Sequence, residues 1–319
     1  MKKYFYLAAA ALTLAACSND ETTDAVADAT AEPIILTASV GEATQTRAET
    51  AIQSQAFEAN ELINVECTPS GKTMSSVIYK AVAPAENVNS LTAESSALTW
   101  PASGTIALKA FYPKTVTSST SSFSVSTDQS NTGSATGSTD AAKGYKGSDL
   151  MYATPIDGQT KIASVDLTFN HALAKIIVNL TAGTGMSDGD IAVCTVTLHA
   201  KKTATISNGV ATKGGSGNYN ATGEAVDITM GTGGSVAAII VPQNITASTG
   251  SKYNFITITT AGGHSVTYQL SADKTFDAGK VYTYNLNVGM SEITLQSNSI
   301  INWDGTGDDK TIDGGTLTL

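Results

Sequence analysis

Apolar and polar residues alternate with a period of two in many short segments of this chain. The first is residues 33–40, PIILTASV, in which Ile34, Leu36, Ala38 and Val40 fall on one side of an extended strand. Such alternation indicates a strand with one buried face. Further strand candidates, bounded by turn residues, lie at 62–68, 75–82, 105–113, 122–128, 165–169, 176–180 and in several segments between 191 and 290.

The spacing of these segments predicts an all-β fold of antiparallel β-sandwiches. Strand candidates recur about every ten residues and no long amphipathic helical pattern interrupts them. Thr, Ser, Gly, Ala and Val dominate, and charged residues make up only 14% of the chain, a bias toward strands and turns. The length is sufficient for two sandwich domains. We place them at 48–160 and 161–290, followed by a tail at 291–319.

The N-terminus has the three parts of an export signal. Lys2 and Lys3 precede an apolar run that is too short to span a bilayer. The run ends in Leu-Ala-Ala-Cys at position 17, which resembles the lipobox of bacterial lipoproteins. That resemblance implies a signal peptide at 1–16, acylation of Cys17 and attachment to a membrane through lipid. The alternative is an ordinary signal peptide that is cut after Ala16, with an incidental Cys17.

Charge and cysteine usage restrict the class of protein further. The net charge of −10 and the pI near 4.7 argue against binding to nucleic acid or to anionic membranes. Cys67 and Cys194 are far apart and form no CxxC motif. We interpret them as buried free thiols, although an oxidising compartment would also allow them to pair.

The sequence shows no enzymatic motif and no metal-ligand spacing, so we predict a protein without catalytic activity, metal or cofactor. The three histidines are scattered, and His171 in FNHALAK is expected to make a structural hydrogen bond. The run DGTGDD at 304–309 lacks the spacing of an EF-hand loop and is interpreted as a solvated turn. Trp100 and Trp303 could stack on a carbohydrate, but core packing is the favoured interpretation.

Arg47 is the only arginine among 18 basic residues. It separates the strand at 33–40 from everything that follows, within the polar stretch GEATQTRAET. Alone, this position allows either a specific role or a chance arginine in a loop.

Several segments together resemble a known family. AFEANELINV, ALKAFYP, SDLMYATP, LTFNHALAKIIVNL, AIIVPQ, FDAGKVYTYNLNV and IINW follow one another as they do in the fimbrillin family, the FimA-like and Mfa-like pilins of lipoprotein-derived type V pili in Bacteroides and Porphyromonas. The resemblance covers essentially the whole chain. It implies two transthyretin-like β-sandwiches in tandem, export as a lipoprotein to the outer membrane, and assembly with other pilin subunits.

The resemblance also gives Arg47 a role. In that family an arginine-specific protease cuts after an arginine downstream of the first strand, here between Arg47 and Ala48. Cleavage would remove segment 17–47, including the strand at 33–40, and would expose an apolar groove in the first domain. A strand from the next subunit would then fill this groove. The donor is expected in the C-terminal tail, where the alternating apolar residues are Ile293, Leu295, Ile301, Trp303, Leu317 and Leu319.

These implications predict a shaft or tip pilin with a role in adhesion to a host or bacterial surface ligand. An anchor subunit would keep its lipid, so a cleavable Arg47 argues against that role. The alternative is an intact outer-membrane lipoprotein that binds a glycan or a host protein, or a pilus anchor. In the alternative, residues 33–40 remain as a permanent first strand. Before cleavage, we expect residues 33–40 to be ordered and Arg47 to be exposed.

Overall fold

The computed structural model describes residues 32–41, 56–131, 140–207, 209–210, 219–247, 252–303 and 316–318. The predicted lipidation site Cys17, the predicted cleavage site Arg47–Ala48 and the tail residue Leu319 lie outside these ranges.

The described residues form an all-β fold with two short helices. The strands are β1 Leu36–Val40, β2 Leu62–Pro69, β3 Ser75–Ala81, β4 Asn89–Ala93, β5 Ile106–Tyr112, β6 Ser122–Ser124, β7 Met151–Ala153, β8 Ile156–Gln159, β9 Val165–His171, β10 Ala174–Ala182, β11 Thr195–Ile206, β12 Tyr219–Thr232, β13 Ser235–Ile240, β14 Gln243–Ile245, β15 Tyr253–Thr259, β16 Ser265–Leu270, β17 Lys274–Phe276, β18 Lys280–Val288, β19 Glu292–Asn302 and β20 Thr316–Thr318. The helices are α1 Asp140–Ser148 and α2 Asp188–Ile191.

The first sheet has eight strands and closes on itself. Its order is β2-β3-β4-β1-β9-β7-β5-β8, and β5 also pairs with β2. Backbone pairing therefore runs around a ring of seven strands, with β8 attached to β5. Within that ring, β1 lies between β4 and β9, so both of its edges are paired.

The second half of the chain forms a β-sandwich. One sheet has the order β13-β10-β18-β19-β20, and the other has the order β12-β11-β15-β16, with β6 also paired to β11. The inward side chains of the two sheets form one core. In it the Phe255 ring stacks on the Phe276 ring and meets the Tyr284 ring edge-on. A short pair, β14–β17, completes this half.

The two hydrophobic cores do not divide the chain at residue 160. Strand β9, which the sequence assigned to the second sandwich, pairs with β1 and β7 and buries Val165, Leu167 and Phe169 in the first core. Conversely, Phe123 and Tyr145 from the predicted first domain pack in the second core. Alternation of apolar residues shows that a strand has a buried face, but it does not show which sheet receives that strand.

The segment between β5 and β6 crosses the outer face of β2 and covers two polar side chains. Asn64 Nδ2 donates to the carbonyl oxygen of Val116 at 2.8 Å, and the Ser118 N–H donates to Glu66 Oε1 at 2.9 Å. Val116 itself is buried in the second core. Asn64 and Glu66 are buried because this segment covers them, and the first sheet is thereby tied to the second core.

Two buried glutamines stand in for missing strand partners. The Gln129 side chain accepts from the Ile239 N–H at 2.8 Å and donates to the Ile239 carbonyl oxygen at 2.8 Å. Gln243 makes the same pair of bonds with Lys201, at 3.0 and 3.1 Å. A side-chain amide carries the same donor and acceptor as a peptide group. Each glutamine therefore bonds backbone groups that lie at a strand edge, in the core at Ile239 and in a half-buried position at Lys201.

We predict that Gln129→Ala lowers the free energy of unfolding by about 2–4 kcal/mol, because it leaves the N–H and C=O of Ile239 unpaired in the core. Urea denaturation followed by circular dichroism measures this change. The control Gln296→Ala removes an exposed amide and is expected to change stability by about 0.5 kcal/mol or less. Equal effects of the two substitutions would contradict the role given to Gln129.

A second prediction concerns alkaline pH. Burial raises the pKa of Tyr282 to about 12, and the Asp277 N–H donates to its hydroxyl at 2.7 Å. In the unfolded chain a tyrosine ionises near pH 10. A raised folded-state pKa means that stability is fully present below pH ~10 and is lost as the pH rises toward ~12. NMR of ¹³C-labelled tyrosine, assigned with Tyr282→Phe, should show no Tyr282 phenolate in folded protein near pH 10. A folded protein with Tyr282 ionised there would contradict the prediction.

Candidate functional site

Strand β1 is inserted into the first core through one face. Ile34, Leu36, Ala38 and Val40 are each at most 2% exposed, whereas Ile35 is 54% exposed. This difference follows from the pleat, in which successive side chains point to opposite faces. The four residues that alternation identified in the sequence are therefore the ones that the structure buries.

Both edges of the segment from Glu32 to Gly41 are hydrogen-bonded. β1 pairs in parallel with β9, from Leu36 opposite Val165 to Val40 opposite Phe169, and antiparallel with β4. At one end the Ile34 N–H donates to Leu98 O, and at the other the Gly41 N–H donates to Phe169 O, both at 2.8 Å. We call the space between β4 and β9 the β1 slot.

The outer face of β1 contributes little to holding it. Thr37 Oγ1 donates to Asp166 on β9, and Lys161 forms an ion pair with Glu32. Both side chains of the ion pair are more than half exposed, so solvent screens their attraction. The buried face and the backbone bonds therefore hold the strand.

Tyr79 connects the slot to β3. Its hydroxyl accepts from the Leu98 N–H at 2.9 Å, and the carbonyl oxygen of the same Leu98 accepts from Ile34. Burial raises the pKa of Tyr79, and the bond from Leu98 partly opposes that rise. The phenol is therefore neutral at physiological pH and lines the slot as an uncharged group.

The chain is anchored again at Phe57, on the far side of residues 42–55. The Phe57 N–H donates to Asn89 Oδ1 at 2.8 Å, and Asn89 Nδ2 donates to Phe57 O at 2.9 Å and to Val82 O at 2.6 Å. The Phe57 ring meets Phe169 edge-on at 4.9 Å. Asn89 is fully buried and lies opposite Ala38. The stretch that contains Arg47 thus joins two separately anchored parts of the first sheet.

The predicted donor residues are not grouped in one free tail. Ile293 and Leu295 lie on β19 and are buried in the second core, and Ile301 is half-buried near the end of that strand. β19 pairs with β18 from Ile293 to Asn302. Leu317 lies on β20, which pairs with residues 292–294 of β19. The described tail residues 292–302 and 316–318 thus belong to the sheet formed by β13, β10, β18, β19 and β20.

Trp303 stacks on His171 at the point where the chain passes from β9 to β10. The two rings are 3.9 Å apart with an interplanar angle of 7°. His171 Nδ1 lies 2.9 Å from Asp149 Oδ1, and both side chains are almost completely buried. This contact is the structural hydrogen bond expected for His171. Lys175 Nζ lies 5.8 Å from the indole centroid.

The remaining candidate chemistry does not converge on a site. His199 pairs with Asp227 on an exposed sheet face at 2.8 Å. Cys67 and Cys194 are free buried thiols in the first and second core respectively, and burial raises the pKa of both. Within the described ranges no group of three His, Cys, Asp or Glu side chains could hold a metal ion. In the same ranges no helix is long and apolar enough to cross a membrane.

Sequence reasoning missed Asn89 and Asp149, which are polar residues with structural roles at this site. Asn89 was the first residue of a strand that the sequence did not predict. Asp149 precedes the apolar run LMYA, and a single acid before such a run resembles an ordinary turn residue. The available signal was SDLMYATP as one of the family-like segments, which marked the region without giving the residue a role.

Comparison with known proteins assigns the family. The model of the fimbrillin-like family matches residues 46–303, which is well over half of the chain. The chain belongs to this family. It is a family of fimbrial structural proteins rather than of enzymes.

Relatives of this fimbrillin-like chain come from Bacteroides. One, described as a candidate fimbrium subunit Fim1C of Bacteroides uniformis, is 28% identical over 152 residues, covering 47% of this chain and 49% of the relative. The aligned part therefore spans about half of that relative. Two crystal structures of candidate cell adhesion proteins share the fold. The one from Bacteroides uniformis has a TM-score of 0.60 at 24% identity, covering 85% of this chain and 98% of the other. The one from Bacteroides ovatus has a TM-score of 0.59 at 16% identity, covering 86% and 98%.

The geometry of the β1 slot predicts a sharp contrast between neighbouring residues. Leu36→Ala should lower the free energy of unfolding of the intact fimbrillin-like chain by about 2–5 kcal/mol, because it leaves a cavity in the first core. Ile35→Ala, one position away on the exposed face, should change it by about 0.5 kcal/mol or less. Urea denaturation midpoints measure both. A large effect of Ile35→Ala, or a small one of Leu36→Ala, would show that β1 is not packed as described.

Proposed function

We propose that this chain is a structural subunit, a shaft or tip pilin, of a cell-surface fimbrium with a role in adhesion to a host or bacterial surface ligand. Its partners are the other pilin subunits of the same fimbrium, as family membership supports. One observation carries the proposal further. The first described strand, β1, fills a slot between β4 and β9, and the stretch that joins it to the rest of the sheet contains the only arginine.

In this proposal the ring-shaped first sheet and the second sandwich are the two tandem transthyretin-like domains that the family resemblance implies. The subunit is exported as a lipoprotein acylated at Cys17 and reaches the outer membrane. An arginine-specific protease then cuts between Arg47 and Ala48. Because no second arginine is present, cleavage after arginine can occur nowhere else, even in a partly unfolded chain.

Cleavage alone leaves β1 bound. Burial of Ile34, Leu36 and Val40 contributes ~1.5–3 kcal/mol each, on the order of 5–10 kcal/mol in total before the cost of ordering the strand. The backbone bonds to β4 and β9 add to this. A strand held in this way leaves readily only when another strand with matching alternation takes its place. Removal by exchange is therefore favoured over simple dissociation.

After β1 leaves, the first sheet has two unpaired edges, at β4 and β9. An open pair of edges over an apolar core binds an extended strand strongly. Cleavage after Arg47 would separate β1 from the rest of the sheet, so its exchange would leave the remaining chain continuous.

We propose that the donor comes from the end of the tail. Ile293 and Leu295 are buried in the second core and stay there. Ile301 lies near the end of β19 and Trp303 follows its last residue, both past the part that β20 pairs with. Leu317 and Leu319 follow in the last residues of the chain. Release of the end of β19 with everything after it supplies a donor. It takes Trp303 out of the second core, while Ile293 and Leu295 stay there.

The second candidate is an intact outer-membrane lipoprotein that binds a glycan or host protein, or a pilus anchor. The pairing of β19 and β20 within the chain's own sheet favours it, because a tail already in use is not free to donate. Trp100 and Trp303, the tryptophans considered for glycan stacking, are both buried and offer no exposed platform.

The deciding experiment is N-terminal sequencing of protein sheared from native cells, together with an unboiled SDS gel. The expected result is a mature start at Ala48 and a ladder of SDS-resistant oligomers. Arg47→Lys keeps the charge but removes the arginine, and should abolish both. The matched variant Thr46→Ser leaves the arginine in place and should behave as wild type. A blocked start at Cys17 with only monomer in the wild type would instead establish the second candidate.

A further inference from the structure

One group of side chains, which we call the junction cluster, contains polar atoms that lack hydrogen-bond partners within the described part of the chain. Its members are Asp149, His171 and Trp303. Asp149 Oδ2 and His171 Nε2 are both buried and have no partner among the described residues. Buried polar atoms without a partner are unfavourable. Departure of the indole that covers the imidazole would let water reach these atoms. The free energy that keeps Trp303 in this position therefore has two opposing contributions. Burial of the ring is favourable, and desolvation of the two polar atoms is unfavourable, so the side chain can be released.

Trp303 also sits where the end of β19 is held. It follows Asn302 directly, and its backbone N–H donates to Gly279 O at 2.8 Å. Lys280 Nζ donates to the Asn302 side chain across the β18–β19 pair. Residues 296–302 lie past the part of β19 that β20 pairs with, and among the described strands β18 is the one whose backbone pairs with them. The stack on His171 adds a contact from outside that sheet.

His171 links this contact to β1. It is the last residue of β9, two positions after Phe169, whose carbonyl oxygen accepts from the Gly41 N–H at 2.8 Å. On its other edge β9 pairs with β7, with His171 opposite Met151. While β1 is present, β9 is held from both sides up to Phe169. Without β1, β7 is the one described strand of the first sheet that still pairs with β9.

We propose that Asp149 and His171 form an indole-binding seat for Trp303 that fixes the end of β19, and that this seat loosens when β1 leaves the first sheet. The inference rests on the proposed function, because it assumes that β1 is removable. It gives strand exchange an order. The donor end of the tail is retained while the acceptor slot is filled by β1, and it is freed once the slot opens. Asp149 and His171 act here as positioning residues.

Hydrogen exchange of the full chain, read by mass spectrometry, tests the seat before any cleavage. His171→Ala should speed exchange in peptides covering 297–303 at least tenfold and leave peptides of β11, in the middle of the second sandwich, unchanged. Trp303→Ala should do the same, whereas Trp303→Phe, which keeps a ring for stacking, should restore most of the protection. Equal protection of 297–303 in wild type and in both alanine variants would overturn the seat. Faster exchange throughout the second sandwich would also overturn it, because the cluster would then serve general stability.

The coupling is tested after cutting the same protein with an arginine-specific protease and adding excess synthetic PIILTASV peptide bearing an isotope label. Labelled peptide in the first sheet reports exchange of β1. When β1 is instead dissociated with mild denaturant and removed, hydrogen exchange should become faster in peptides covering 165–171 and in peptides covering 297–303. A rise in 165–171 alone would overturn the coupling while leaving the removable strand intact. If β1 is neither exchanged for the peptide nor removed by denaturant, the proposed function is wrong and the coupling with it. The indole-binding seat is then tested by the variants of the uncleaved protein.

Discussion

The first sheet of this protein depends on one strand that enters it from the N-terminal side. With β1 in place, backbone pairing closes around a ring of seven strands, each of them paired on both edges. The same strand contributes Ile34, Leu36, Ala38 and Val40 to that core. Because β1 both closes the ring and fills the core, its removal would leave β4 and β9 unpaired beside an exposed apolar core. The rest of the sheet is arranged around this slot, from Asn89 at the start of β4 to Phe169 near the end of β9.

The second sandwich has a core of its own, but the two halves share their connections. The chain passes into the second core after β5, returns for β7, β8 and β9, and passes over again at Ala172 and Leu173, which are both buried there. The segment that covers Asn64 and Glu66 belongs to the first of these passages. Opening the β1 slot therefore leaves the first sheet attached to a folded neighbour at several points, which favours local change over general unfolding.

The sequence predicted local structure well and assembly of the strands poorly, for physical reasons. Period-two alternation is a local property, so the buried face of β1 and the existence of β2, β3 and β5 could be predicted from it. The sheet that β9 joins depends on pairing with a strand more than 120 residues earlier in the chain, and no local pattern carries that information. The roles of Gln129 and Asp149 depend on single contacts with distant residues. The tail was expected to supply the donor because no local pattern showed a place for it, and the pairing of β19 with β18 depends on contacts between two segments.

The Gln129 side chain, which bonds to the backbone of Ile239, has a consequence for how many neighbouring subunits one subunit can bind. It caps the backbone groups of Ile239 on the edge of β13, and the backbone of residues 127–129 pairs with Thr229 on β12, so fewer backbone groups here are free to bind an added strand. With β1 present the seven-strand ring of the first sheet is closed as well, and β8 is the strand at which that sheet ends. In the proposed assembly, a subunit that gains one acceptor and one donor has a valence of two, and particles of valence two grow into unbranched filaments. Capping an edge with an amide thus helps determine the dimensionality of the polymer.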